Sequence, residues 1–207
     1  MVRRPATERL AWSALVALVL GGGAACNQLS GAAAIDFTAG GIGSCGTVGD
    51  AGVECFNLVC DGGDVAVGVH GFAGSVLNQI ELSCASLQAG GALGTPYSTA
   101  VFDSTVSPTY QASCGAGEAV VGLSYTRGAQ FVVQVTLSCQ APSAWQAANS
   151  TSQAIAPVGS NDGSGAEVPL PACPHGQMVH GLPGQLGSAN GGVYVQDFGA
   201  PECVPGP

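Results

Sequence analysis

Cys60-Asp61-Gly62-Gly63, followed by Gly68 and closed by Gln79-Ile80-Glu81-Leu82-Ser83-Cys84, decides the fold, because the chain carries this pattern three times. The second copy runs Cys114-Gly115-Ala116-Gly117, Gly122 and Gln134-Val135-Thr136-Leu137-Ser138-Cys139. The third runs Cys173-Pro174-His175-Gly176 and Gly181. Its closing strand is looser, Val193-Tyr194-Val195-Gln196-Asp197-Phe198, with Cys203 five residues on. In every copy glycine falls three and eight residues after the first cysteine. The residue before the second glycine is Val67, Val121 or His180. The first cysteines are spaced by 54 and 59 residues.

Each copy reads as a β-hairpin clasped at its base. If two cysteines face one another across an antiparallel pair, the turn lies midway, near residue 72, between 126 and 127, and near 188. Turn residues stand there: Phe72-Ala73-Gly74, Thr126-Arg127-Gly128 and Gly187-Ser188-Ala189-Asn190. With Cys26 set aside eight of the nine cysteines remain, and eight allow 105 pairings. The repeat selects Cys60 with Cys84, Cys114 with Cys139 and Cys173 with Cys203, and leaves Cys45 with Cys55. A zinc site is disfavoured, since no C-x2-C pair exists.

Side-chain period supports strands. Phe131, Val133, Val135 and Leu137 point one way while Val132, Gln134, Thr136 and Ser138 point the other, the alternation of a sheet with one buried face. Glycines 68, 122 and 181 inside strands mark bulges or close backbone approaches. A short piece runs into each first cysteine: Phe56-Asn57-Leu58, Tyr110-Gln111-Ala112 and Val168-Pro169-Leu170. Tyr97 to Phe102 and Trp145 to Ile155 read as one further strand each. The sum is about four strands per repeat, and no helical period after the leader.

Working outward, Arg3, Arg4 and Arg9 precede an apolar run from Leu10 to Leu20, then Gly21-Gly22-Gly23-Ala24-Ala25 and Cys26. This is the order of a secretory signal, and the run is too short to span a bilayer. Cys26 resembles the lipid attachment site of a bacterial lipoprotein, cut just before the cysteine. Asn27 in place of Asp suits, by that resemblance, sorting to an outer membrane or the cell surface. Cleavage by the general signal peptidase after Ala25 is the alternative, with a periplasmic or secreted product. The predicted organisation is a signal peptide over 1–25, a flexible tether over 26–34 and a single domain over 35–207. Its repeats fall at about 35–88, 89–141 and 142–207.

Composition excludes some partners. With four Lys and Arg together, three of them in the leader, and a net charge of -9, the chain cannot neutralise a row of phosphates, so nucleic acid is not a partner. Contact with a membrane is confined to the lipid anchor. Export places the cysteines in an oxidising compartment, where an even number forms a disulfide framework.

The repeated pattern resembles the group of vitelline membrane outer layer proteins and jacalin-like lectins, over about residues 35 to 207. The resemblance implies an all-β domain, a three-fold pseudosymmetric β-prism of three four-stranded Greek-key sheets. The sugar-binding Gly-x-x-x-Asp loop of jacalin-like lectins does not carry over, because the nearest piece, Gly192 to Asp197, has one residue too many.

The inventory for catalysis is thin. His70, His175 and His180 read as exposed loop and strand-edge histidines, and His175 and His180 fall on opposite faces of a strand, which disfavours a shared metal. Asp61, Asp64, Glu81 and Asp197 read as scattered surface acids. Ser160 and Ser164 lie in glycine linkers without a nucleophile elbow. Asn161-Asp162-Gly163 is a weak candidate for calcium. No enzyme activity, cofactor or metal is therefore expected. Binding fits better: the three turn clusters offer His70 and Phe72, Tyr125 and Arg127, and Asn190 with Tyr194. Polar groups beside an aromatic ring suit a sugar. The expected role is lectin-like binding of carbohydrate or extracellular polymer in the cell envelope. A coat protein without a specific ligand is the alternative, and a glycan-active enzyme a remoter one.

Overall fold

The computed structural model describes residues 54–99, 109–147, 149–161 and 164–206. The leader, Cys26, the tether and Cys45 lie outside the described residues.

Strand β1 (Glu54–Val59) leads to a first hairpin of β2 (Val65–Ala73) and β3 (Leu77–Ala85), followed by β4 (Tyr97–Ser98) and β5 (Thr109–Ser113). The second hairpin is β6 (Ala119–Arg127) and β7 (Val132–Gln140). After it come a one-turn helix, α1 (Pro142–Trp145), and strands β8 (Gln153–Ala154), β9 (Val158–Gly159) and β10 (Ala166–Pro169). The third hairpin is β11 (Gln177–Ala189) and β12 (Gly192–Phe198), and β13 (Glu202–Pro205) follows it.

Three antiparallel sheets result, one on each hairpin. Sheet I is ordered β4-β3-β2-β5. Sheet II is β10-β6-β7-β8, with β9 also on β7. Sheet III is β1-β11-β12, with β13 also on β11. The strand entering each cysteine clip does not join the hairpin it precedes. Strand β5 pairs with β2 and β10 with β6, each in the sheet of the preceding hairpin. Strand β1, the first described strand, closes the circle on β11. The sheets are thus offset from the sequence repeats: β4 and β5, beyond residue 88, belong to sheet I, and β8, β9 and β10, beyond 141, to sheet II.

Equivalent residues converge from the three hairpins, which gives the β-prism its pseudo-threefold axis. The residues six after the first cysteines (Ala66, Val120, Val179) and nine after (Val69, Leu123, Leu182) are all buried in one core. Burying a Leu or Val side chain contributes about 1.5–3 kcal/mol. Those five after (Val65, Ala119, Met178) form a smaller core with Val121 and Trp145. Register shifts fall at Ala66/Gly68, Val120/Gly122 and Val179/Gly181, so the glycine eight after each cysteine marks an equivalent bulge. At Gly68 a Cβ would stand 2.5 Å from Ala112 O, so only glycine lets β5 lie this close.

Disulfides join Cys60–Cys84, Cys114–Cys139 and Cys173–Cys203, with Cα separations of 5.7, 5.6 and 5.8 Å. Cys55 is also disulfide-bonded. The clips do not cross the hairpins, as the midpoint argument assumed. Cys84 faces Ala66, Cys139 faces Val120 and Cys203 faces Val179, while each first cysteine lies six residues earlier. The turns therefore sit about three residues later than expected, at 74–76, 128–131 and 190–191. Two further expectations are corrected. Residues 145–155 are not one strand, because Pro142 opens α1 and buried Trp145 anchors it, donating Nε1–H to Pro174 O at 3.2 Å. Of the strand expected over 97–102, β4 covers Tyr97–Ser98, and residues 100–102 lie outside the described residues.

Candidate functional site

The turn-cluster residues do not form one site. Tyr125 is 3% exposed and its ring packs edge-on against Phe198, with centroids 5.4 Å apart. Its hydroxyl donates to Asp197 Oδ1, which also accepts from the Phe198 amide at 2.9 Å. Arg127 reaches the other oxygen, Nη1 to Oδ2, at 3.1 Å. Burial, and after it the hydrogen bond to Asp197, push the Tyr125 hydroxyl up to about 12. This trio fastens sheet II to sheet III. Tyr125 cannot offer its ring to a sugar, and Arg127 is committed to a carboxylate.

Repeat equivalence explains the burial. Tyr125 stands eleven residues after its cysteine, where the other two copies have Gly71 and Gly184. At Gly71 a Cβ would stand 2.6 Å from the Tyr110 hydroxyl, and at Gly184 it would stand 2.7 Å from Phe56 Cε1. In sheets I and III an aromatic from the entering strand fills the space over a glycine. In sheet II the entering strand brings Val168 opposite Tyr125, and the hairpin supplies the ring itself.

Asn190 forms the tip of the third hairpin with a left-handed φ of 52°, and Tyr194 packs on Phe131 at 5.1 Å. His70 and Phe72 lie in β2 of sheet I, Phe72 being buried. His70 is no exposed loop residue, since its side chain is 17% accessible. Its Nε2 stands 3.2 Å from Oε2 of cross-strand Glu81, and its Nδ1 3.3 Å from Ser83 Oγ. Glu81, expected among surface acids, is 2% exposed and also accepts from Gln79 Nε2 at 2.8 Å. His180 and His175 are likewise engaged. His180 Nδ1 stands 2.8 Å from Asp64 O, and His175 stacks on Trp145 at 4.4 Å.

A cleft opens elsewhere, at the turn end between sheets I and II. Its volume is about 390 Å³ and it is lined by Ala73, Gly74, Ser75, Thr109, Gly159, Ser160 and Asn161. Gly159, at φ +132°, builds its floor. A Cβ there would stand 2.7 Å from Leu77 Cδ1, so glycine lets β9 close on the first hairpin. The Ser160 amide donates to Val133 O at 2.8 Å and its carbonyl accepts from Gln134 Nε2 at 2.9 Å, which fixes the loop. Ser75, Thr109 and Asn161 are exposed at the rim. Among the described residues no lining side chain carries a charge. Sequence reasoning missed this cleft because its walls come from three separate segments; of the Asn161-Asp162-Gly163 calcium candidate, Asn161 lines it and the other two lie outside the described residues.

No protein-family profile and no curated protein sequence matches the chain. Among solved structures the chain is similar to a prostate-specific WGA16 glycoprotein lectin, at 18% identity and a TM-score of 0.44, over 75% of this chain and 97% of that one. It is also similar to Calystegia sepium agglutinin, at 16% and 0.40, over 72% and 90%. A third is a mannose-specific jacalin-related lectin from Morus nigra in complex with mannose, at 14% and 0.36, over 73% and 98%.

Proposed function

We propose that this protein is an exported, lipid-anchored component of the cell envelope that binds a neutral carbohydrate or carbohydrate polymer in the turn-end cleft. The observation that carries this reading is the character of the lining. Hydroxyls from Ser75 and Thr109, the Asn161 amide and two glycines line about 390 Å³, and among the described residues no lining side chain is charged. A sugar presents hydroxyls that both donate and accept, and serine, threonine and asparagine side chains do the same. Among the described residues a phosphate or carboxylate would find no cation there. The lipid anchor at Cys26 rests on the leader, and export agrees with a domain held by disulfides.

Screening the full chain on a glycan array tests the binding. Retention on neutral glycans that survives 0.5 M NaCl is the expected result, because uncharged hydrogen bonding is not screened by salt. Retention only on acidic glycans, lost in salt, contradicts it; no retention at all together with abundance in envelope fractions favours a coat role. Fatty-acid labelling lost on Cys26→Ser is the expected outcome for the anchor.

A further inference from the structure

We propose that Gln134, which stands outside the lining of the turn-end cleft, is the positioning residue that sets the cleft's affinity by holding the Ser160–Asn161 peptide, a role that presupposes the carbohydrate reading of that cleft. The wall it holds has little other support from its own strand. Strand β9 is two residues long, Val158 and Gly159, paired with Val135 and Gln134 of β7. Beyond it the Ser160 amide still donates to Val133 O at 2.8 Å. The Ser160 carbonyl then accepts from the Gln134 side chain, with Nε2 at 2.9 Å.

A carbonyl oxygen shares one plane with the following N–H and Cα. Fixing Ser160 O therefore fixes the plane from which Asn161 departs, and so narrows the positions open to the Asn161 amide at the cleft rim. A group held in place before the ligand arrives need not be ordered on binding. Where it is not so held, the cost of ordering is taken from the affinity.

The equivalent residue of the first repeat has a different partner. Gln79 and Gln134 each stand five residues before the closing cysteine of their hairpin. Gln79 turns along its own strand to Glu81, Nε2 to Oε1 at 2.8 Å. In sheet II the residue two along is Thr136, which offers no carboxylate, and Gln134 reaches sideways to the loop that leaves β9. Gly159 permits that reach. A Cβ there would stand 3.1 Å from Gln134 Cα, so glycine lets β9 lie close to β7 at this point.

The experiment compares the full chain with its Gln134→Leu and Gln134→Glu variants. Retention is measured at pH 7 and pH 4 on whichever of dextran, mannan and galactan best holds the wild type, together with hydrogen exchange of the Ser160 amide. Gln134→Leu keeps the bulk and removes the donor, so its affinity is expected to fall about tenfold at both pH values. Its Ser160 amide is expected to exchange about fivefold faster or more. At pH 7 Gln134→Glu sets an ionised carboxylate against a carbonyl, two acceptors, and is expected to bind at least as weakly as Gln134→Leu. A protonated carboxyl donates, so as pH falls through the ordinary glutamate value of about 4.3 its affinity is expected to recover to within about threefold of the wild type at the same pH. A purely structural contribution gives no such recovery. Of the charged groups on the adjoining strands, Glu167 lies two strands away across Thr126, and Arg127 is paired with Asp197. Both are common to all three proteins and cancel in the comparison at each pH. Wild-type affinity in Gln134→Leu, an unchanged exchange rate at Ser160, or a Gln134→Glu variant that stays as weak as Gln134→Leu at pH 4 would each overturn the role assigned to Gln134 alone. Retention of the wild type on none of the three polysaccharides would overturn the cleft reading, and the affinity role with it, even where Ser160 exchange is accelerated in Gln134→Leu.

Discussion

The hydroxyl of Tyr125 in sheet II donates to the carboxylate of Asp197 in sheet III, so two sheets of the prism are fastened at a point where one partner is 3% exposed. A hydrogen bond to a charged acceptor contributes about 1.5–3 kcal/mol. Tyr125→Phe keeps the ring against Phe198 and removes only this bond, so denaturant melts should show a loss of about 1.5–3 kcal/mol with an unchanged m-value. A loss near the 3–5 kcal/mol of an emptied aromatic site would mean that packing had collapsed as well.

The same bond sets an alkaline limit. The Tyr125 hydroxyl is raised from 10.0 to about 12, burial first and Asp197 second, and burial raises Tyr110 well above 10.0 too. The folded state therefore holds these protons more tightly than the unfolded chain. The Tyr125 contribution is complete below pH 10 and is lost as pH rises from 10 through about 12, and that of Tyr110 is lost in the same direction. Rapid urea melts across pH 8 to 12 should show a plateau and then a fall, and the fall should be shallower in Tyr125→Phe.

Arg127 offers a contrast within the trio. Its ion pair with Asp197 spans 3.1 Å, but the side chains are 39% and 32% accessible, so water and salt screen it. Exposed pairs contribute about 0–1 kcal/mol. Arg127→Ala should shift the urea midpoint by less than that allows for Tyr125→Phe, and the shift should vanish in 1 M NaCl.

The exchange of glycine and aromatic around the axis can be tested by a double-mutant cycle. At Gly184 a Cβ would press on the Phe56 ring, 2.7 Å from Cε1 and closer still to Cζ, and would stand 2.9 Å from the Asp197 carbonyl. Gly184→Ala should cost about 1–3 kcal/mol through overpacking. Phe56→Leu shortens the ring's reach, so the pair should cost at least 0.5 kcal/mol less than the sum of the singles. Strict additivity would place the conflict with the backbone carbonyl rather than the ring.

These residues also mark what the sequence could reveal. The hairpins, the clip pairs and the bulge glycines were legible because each repeats three times, and alternation in β7 gave its buried face. The turns were misplaced because facing cysteines were assumed, whereas a six-residue offset places Cys84 opposite Ala66. The exchange of β1, β5 and β10 between sheets is a long-range pairing that no local pattern records. Tyr125 was read as a surface aromatic near a turn. Aligning it with Gly71 and Gly184 would have exposed its core role, since a large residue among glycines at one repeat position must fill space that another strand fills elsewhere. Thr109 and Gly159 had no comparable signal, and Asn161 only that of a weak calcium candidate. They become neighbours only when sheets I and II meet.

In the proposed reading a cleft whose described lining is uncharged, and not the turn aromatics, takes a sugar. The most direct test measures retention of Thr109→Val, Asn161→Ala and Arg127→Ala on the neutral polysaccharide that best holds the wild type. Each cleft variant loses a hydrogen-bonding group without filling the core, and should weaken binding about tenfold, equivalent to 1.4 kcal/mol. Arg127→Ala should bind as the wild type does. Undiminished binding by both cleft variants, with loss in Arg127→Ala, would contradict the claim and return the site to the seam between sheets II and III.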